Sequence, residues 1–226
     1  MRTSETVPDG VSIPLYSYAD ADYLAGVSRG TSKRWLTGYR YWAPDGQRVV
    51  QPPVTPGTEG VGLVSFLDLV EIVAIGRLKE VGFSLKAIRQ VVFNCQEILG
   101  LARPLTTLKF KTDGREIFVD KGPILLEVGR RKGEQAWNEF LEPFLHNLDY
   151  AHEIARRWWP LGRENRVVVD PDYGYGFPVV ANSGVRTEII LERFRAGDLK
   201  DRIAQDFKLD PVEVERALQF DLNRAA

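Results

Sequence analysis

The side chains best suited to chemistry in this sequence are cations, and they cluster. Ser28, Arg29, Thr31, Ser32, Lys33 and Arg34 fall in one short stretch, and Arg40, Tyr41 and Arg48 follow closely. Between Arg29 and Arg48 the one acidic residue is Asp45. Cations and hydroxyls at that density suit phosphate oxygens and base edges, the two surfaces by which a nucleic acid is recognised. The whole chain has a net charge of −1. Attraction to a polyanion must therefore come from this local excess, not from a global field.

Other chemistries find less support. His146 and His152 are the only histidines. Their spacing puts them on roughly opposite sides of a continuous helix, with no third ligand, so no metal site is expected. Gly174 and Gly176 lie in a Tyr-rich turn without the Lys-Ser/Thr of a phosphate loop. Asp170 and Asp172 could be imagined as a metal-dependent nuclease pair, but a solvated loop is the simpler reading. The expectation is a protein without enzymatic activity, catalytic residue or cofactor.

The cationic stretch needs elements to hold it, and Tyr16 to Val50 reads as a helix-turn-helix followed by a β wing. Gly26 can take positive φ where the first helix ends. Val27 plugs the angle between the helices, and Ser28 is expected to N-cap the second, Ser28 to Leu36. Trp35 and Leu36 anchor that helix. Pro44-Asp45-Gly46 suits the tip of a hairpin. Such a helix is built for a major groove. Ser28, Arg29, Thr31, Ser32, Lys33 and Arg34 are its groove-facing candidates. Arg40, Tyr41 and Arg48 are wing candidates for phosphate or minor-groove contact.

The chain of 226 residues, 44% hydrophobic, allows two small domains with packed cores. Residues 1–14 read as a flexible tail and 15–100 as a winged helix-turn-helix domain. Within it, Ser65 with Asp68 three residues on starts a helix from Phe66 to Val81. A second helix carries Leu85, Ile88, Val91, Val92 and Cys95 on one face. Cys95 is the only cysteine, is expected in the core, and can form no intramolecular disulfide.

Residues 101–150 form a connecting or dimerisation region. Leu108 to Asp120 is predicted as a β-hairpin around Asp113-Gly114, with Phe110 facing Ile117, Leu108 facing Val119 and Lys111 across from Glu116. Gln135 to Leu148 is predicted as a helix with an aromatic stripe, kinked or broken near Glu139 by Pro143. That stripe suits either an intramolecular core helix or a dimer interface.

Residues 151–226 form a C-terminal domain. A strand is predicted at Val167 to Val169, and helices at Thr187 to Ala196, Leu199 to Phe207 and Pro211 to Leu222. Ile203, Ala204, Phe207, Leu209, Val214, Ala217 and Leu218 supply a three-helix core with a helix-turn-helix outline, in which Lys208 stands where glycine is common. Its last helix carries Glu213, Glu215 and Asp221 against Arg216, a balance that favours a protein partner over phosphate. Trp158 and Trp159, beside Arg156 and Arg157, are either structural or a partner anchor.

The stretch "AGVS…TSKRW" with "GRLKEVGFSLKAIRQVV" resembles the MerR-type winged helix over roughly Tyr16 to Leu99. One departure is Asp22, standing where that pattern has a small residue four before the turn glycine. The C-terminal half, "RWWPLG…VVVDPDYGYGFPVV…VRTEIILERF", resembles a domain of unknown function that recurs in bacterial antitoxins, with Asp170, Pro171, Gly176, Pro178, Val179 and Arg186 matching. The segment Ala181 to Val185 is longer than in that pattern.

Taken together, Tyr16 to Asp221 is similar to VapB-like antitoxins encoded beside PIN-like ribonuclease toxins. The resemblance implies a mainly α (α+β) fold and a type II antitoxin that represses its own operon. Its partners are then operator DNA and a PIN-like ribonuclease toxin, bound as a homodimer or a higher hetero-oligomer. Arg156, Arg157, Trp158, Trp159, Arg186, Arg193 and Arg195 are the toxin-facing candidates. The alternative is a stand-alone MerR-like regulator sensing a small molecule between the aromatic helix and the hairpin. The polar, acidic first residues and the lack of a long apolar run point to a cytoplasmic protein.

Overall fold

The computed structural model describes residues 9–58, 62–100, 102–115 and 130–225. They combine many helices with four small two-stranded antiparallel sheets, a mixed α+β architecture. The chain divides into two units. One comprises residues up to His146 together with Tyr150–Ala155, the other Asn147–Asp149 and everything from Arg156 on.

The N-terminal unit is built on α4, Phe66–Glu80, whose apolar side chains are buried all round. A helix surrounded on every side has no reason to be amphipathic. Its start is fixed as the sequence predicts: the Ser65 hydroxyl accepts from Asp68 N–H, and the Asp68 carboxylate accepts from Ser65 N–H. Before it come α1 (Asp9–Ser12), β1 (Pro14–Tyr16), α2 (Tyr18–Ala25), α3 (Thr31–Thr37), β2 (Tyr39–Trp42), β3 (Arg48–Gln51) and β4 (Val64–Ser65). The tail expected over residues 1–14 is corrected from Asp9 on, where Val11 is buried in the core and Pro14 pairs with Ser65. After it, α5 (Leu85–Leu99) lays Ala87, Ile88, Val91, Val92 and Cys95 into the core. Burial pushes the Cys95 thiol up to about 12.

The predicted hairpin from Leu108 is not there. Residues Leu108–Arg115 form α6, and the rest of the predicted hairpin, 116–120, lies outside the described residues. The Thr107 hydroxyl accepts from Phe110 N–H at 3.2 Å, an N-cap contact that commits the chain to a helix. Phe110 then packs on Trp137, ring centroids 5.6 Å apart. Asp113-Gly114 sits inside the helix and not at a turn, because side-chain packing outweighed the local turn preference. Farther on, α7 (Arg130–Ala136) and α8 (Glu142–His146) are joined by a π-helical turn, Trp137–Leu141. Pro143 supplies no N–H to the carbonyl of Glu139, and the widened turn is the break expected there.

In the C-terminal unit β7 (Val167–Val168) pairs antiparallel with β8 (Val179–Val180). Three helices follow: α9 (Thr187–Arg195), α10 (Lys200–Phe207) and α11 (Pro211–Ala225). Ile190, Leu191, Ile203, Ala204, Val214, Ala217 and Leu218 form their core with Val180, and Phe207 and Leu209 pack against it. Lys208 takes the left-handed conformation, φ 56°, that glycine usually supplies after a helix. The chain passes between the units within the antiparallel pair β5 (Leu148–Ala151) and β6 (Ile154–Trp158). Among the described residues no helix is long and apolar enough to cross a membrane.

Candidate nucleic-acid interface

The helix carrying the cationic cluster is positioned by a carboxylate. Ser17 and Asp20 form a reciprocal capping box at the start of α2, and Gly26 ends that helix at φ 68° as predicted. Val27 then lies over α4, its Cγ1 within 3.4 Å of where a Cβ on Gly76 would stand. Asp22, buried on α2, reaches across the turn and accepts from Gly30 N–H at 2.5 Å and Ser32 N–H at 2.7 Å. Two orphan donors at the front of α3 are thus satisfied by one side chain. This corrects the expectation that Ser28 caps the helix: α3 starts at Thr31, and the Ser28 carbonyl accepts from Thr31 N–H in the turn before it. The departure of Asp22 from the small-residue pattern is what makes this cap.

Burial sorts the groove-facing candidates. Ser28, Arg29, Lys33 and Arg34 are exposed, while Trp35 and Leu36 are buried as anchors. Thr31 and Ser32 are buried as well, a second correction. The Asp22 contact pins Ser32 N–H and turns that side of α3 inward. The Thr31 hydroxyl accepts from Arg34 Nη2 at 3.3 Å, so Thr31 orients a cation and does not itself face outward. Among the described residues Arg29 and Lys33 enter no ion pair.

The wing follows directly. Gly38, φ 71°, lets the chain leave α3 against the end of β3, where an added Cβ would stand 2.4 Å from the Gln51 carbonyl oxygen. β2 and β3 pair with Tyr39 opposite Gln51, Arg40 opposite Val50, Tyr41 opposite Val49 and Trp42 opposite Arg48. Arg40 and Arg48 are exposed on the same face, while Tyr41 lies on the other, stacked on Tyr39 at 6.0 Å. The sequence reading passed over Trp42, which shares the arginine face and is exposed. Alternation from Arg40 was the signal that could have found it.

Behind the wing the chain returns to the core through a buried polar cluster. Val54 N–H and Gly57 N–H donate to the carbonyls of Trp35 and Leu36. The Thr55 hydroxyl donates to Glu71 at 2.6 Å, and Arg103 bridges Asp68 at 2.5 Å and Glu71 at 3.5 Å. Burial pushes the Glu71 carboxyl up to about 7, against the pull of Arg103 and Thr55. Burial also acts to raise Asp68, but Arg103, the Ser65 N–H and two hydroxyls together hold it below the usual range.

In the C-terminal unit most toxin-facing candidates are engaged within the chain. Arg156 pairs with Asp172, and Arg157 Nε donates to Asp170 at 2.5 Å, so the acids of the imagined nuclease pair are both bound to arginines. Trp158 is buried, and Trp159 packs on Val168, Val179 and Ala181 while donating to Asp149 at 2.9 Å. Arg186 pairs with Glu188 and lies 4.4 Å from the Phe177 ring centroid. Arg193 bridges Asp198 and Asp206. Neither tryptophan is a free anchor, and four of the five arginines are held by carboxylates within the unit. Arg195 is exposed, with no ion pair among the described residues. Tyr175, 84% exposed with φ 56°, stands out on the turn beyond Asp172. His146 Nδ1 lies 2.9 Å from the Glu142 carbonyl oxygen, and His152 sits in the turn between β5 and β6. Among the described residues no group of three His, Cys, Asp or Glu could hold a metal ion.

Comparison with known proteins places this architecture. Residues 167–220 match the family described as "Protein of unknown function (DUF433)". The chain is 26% identical over 223 residues to a Mycobacterium tuberculosis protein named "Putative antitoxin VapB45", covering 91% of this chain and 93% of that protein. It is 22% identical to "Uncharacterized protein Rv2308" of the same organism, over 97% of this chain and 95% of that one. The crystal structure of Rv2018 from Mycobacterium tuberculosis superposes with a TM-score of 0.68 at 24% identity, covering 91% of this chain and 98% of that chain. At that identity the likeness to Rv2018 is one of fold, and it extends over nearly the whole chain.

Proposed function

We propose that this chain is a non-catalytic antitoxin of a type II toxin–antitoxin pair that also represses its own operon. Its N-terminal unit acts as a MerR-like winged helix on operator DNA, as a dimer. Its C-terminal unit holds the toxin, a PIN-like ribonuclease. The observation that carries the reading is similarity over almost the full length to a protein named as an antitoxin, in a chain that also exposes Arg29, Lys33, Arg40 and Arg48 with no ion pair among the described residues. Arg29, Lys33, Arg40 and Arg48 are the phosphate contacts, with Ser28 and Arg34 beside them. Of the candidate arginines on the C-terminal side, Arg195 is the one best placed to meet a toxin's metal-binding carboxylates, because Arg156, Arg157, Arg186 and Arg193 are already paired.

The test is co-expression of the tagged full-length chain with the product of the adjacent gene. A purified complex, together with rescue of growth from that product's toxicity, supports the antitoxin half. Retardation of DNA from upstream of the gene supports the repressor half. No complex and no toxicity would sink the antitoxin reading while leaving the DNA-binding surface to be tested alone.

A further inference from the structure

The two faces of the wing differ in kind. Tyr39 and Tyr41 stack on one, and Arg40, Trp42, Arg48 and Val50 share the other. Trp42 is 73% exposed and Val50 61% exposed. Neither arginine of that face enters an ion pair among the described residues. The acid of the hairpin, Asp45, sits at the tip and accepts from Gln47 N–H at 3.0 Å. An indole therefore stands in water between two unpaired guanidinium groups, one on its own strand and one directly opposite.

We propose that Trp42 is an apolar reader of duplex DNA. The wing enters a minor groove, Arg40 and Arg48 take flanking phosphates, and the indole packs between them against sugars and base edges. The inference rests on the DNA-binding reading above and names the wing residue that acts by contact and not by charge. Charge complementarity selects the occupant. A protein surface apolar enough to cover Trp42 and Val50 would strip water from two cations without replacing it, a costly arrangement. A groove offers both a phosphate wall for each arginine and an apolar floor for the ring. Minor-groove binders combine arginines with apolar wedges in this way.

Salt dependence separates the two kinds of contact, because releasing counterions requires a charge. Full-length wild type, W42A, W42F, R40A, R48A and K33A are titrated against a duplex from upstream of the gene and a mixed-sequence duplex of the same length. W42A is expected to weaken binding about tenfold with the slope of log K against log[salt] unchanged, and W42F to retain most of the affinity. R40A and R48A should each flatten the slope by about one. Denaturation midpoints equal to wild type exclude misfolding, as expected for so exposed a side chain.

W42A binding as tightly as wild type, while R40A and R48A lose slope, overturns the proposal and leaves the DNA reading standing. A W42A slope that flattens like that of R40A overturns it too, since the ring would then only prop an arginine. So does a W42A chain that binds DNA normally but no longer retains the adjacent gene's product, which places a protein on this face. A wild type that binds neither duplex sinks the DNA reading itself.

Discussion

Along α3 and the wing, Arg29, Lys33, Arg40 and Arg48 stand exposed without a carboxylate partner among the described residues. In the C-terminal unit Arg156, Arg157, Arg163, Arg166, Arg186 and Arg193 each close on one. Counting cations would rank the second region above the first as an anion binder. Pairing reverses the order. A guanidinium already held by an aspartate offers an incoming phosphate little net field, whereas an unpaired one gives up only water and a counterion. What distinguishes a surface kept for an external anion is thus the absence of local acids, and the stretch from Arg29 to Arg48 has only Asp45.

The comparison can be pressed hardest where paired charge is buried. Arg103→Ala leaves Asp68 and Glu71 inside the N-terminal unit without their cation, and should cost about 3 kcal/mol in urea denaturation. Unchanged stability would mean that the pairing is incidental. The same cluster gives a pH signature. The Glu71 carboxyl is raised from 4.5 to about 7 on folding, so its contribution is full below pH 4.5 and is lost as pH rises through about 7. Asp68, shifted the other way, contributes above its usual value of 3.8 and is lost only as pH falls below it. Between pH 5 and 7 the denaturation midpoint should fall in the wild type and flatten in Glu71→Gln.

Asp22→Ala comes next. It removes the acceptor of Gly30 and Ser32 N–H from a buried position and should cost about 2 kcal/mol. It also takes a negative charge away from the front of α3, so any loss of DNA binding must come through geometry and not through field. Smaller in stability, but sharper for function, are Arg29→Ala and Lys33→Ala. Each should change folding stability by less than about 0.5 kcal/mol and flatten the salt slope of DNA binding by about one. Arg193→Ala is the control from the other region, and its DNA slope should match wild type. The smallest effect is at Lys208. Glycine there relieves a left-handed residue and should stabilise by about 0.5–1 kcal/mol, with partner retention unchanged if its ammonium has no outside role.

Much of the fold could be read from side chains acting on their own neighbours. The capping box at Ser65 and Asp68, the left-handed Gly26, the break before Pro143 and the three C-terminal helices all follow from contacts within one turn of the residue concerned. The misreadings involve partners distant in sequence. Leu108 to Asp120 alternates like a hairpin, but its first half is a helix because Phe110 meets Trp137 and Thr107 caps the turn. Ser28 is a good cap by type, yet Asp22 reaches the same donors from the preceding helix. The arginines near Trp158 looked available because Asp170 and Asp172 lie more than a dozen residues away, and only β6 and the following turn bring them together. For the candidate interface, the exposed cations were legible. The burial of Thr31 and Ser32 was not, since it depends on which side of a seven-residue helix faces α4.

The placement of the boundary between the units has a consequence for inheritance. Residues 147–149 fall to one unit and 150–155 to the other, and the chain returns within the sister strand. A recombination point anywhere in this hairpin would hand each descendant one strand of a pair, with its backbone groups unmatched. Lineages that keep both units would therefore be expected to keep them joined, as in the relatives that align over more than nine-tenths of their length. The segment that matches a family by itself, residues 167–220, begins beyond the hairpin. It could be carried elsewhere without cutting that hairpin, at the cost of the two backbone hydrogen bonds that Val169 exchanges with Trp158.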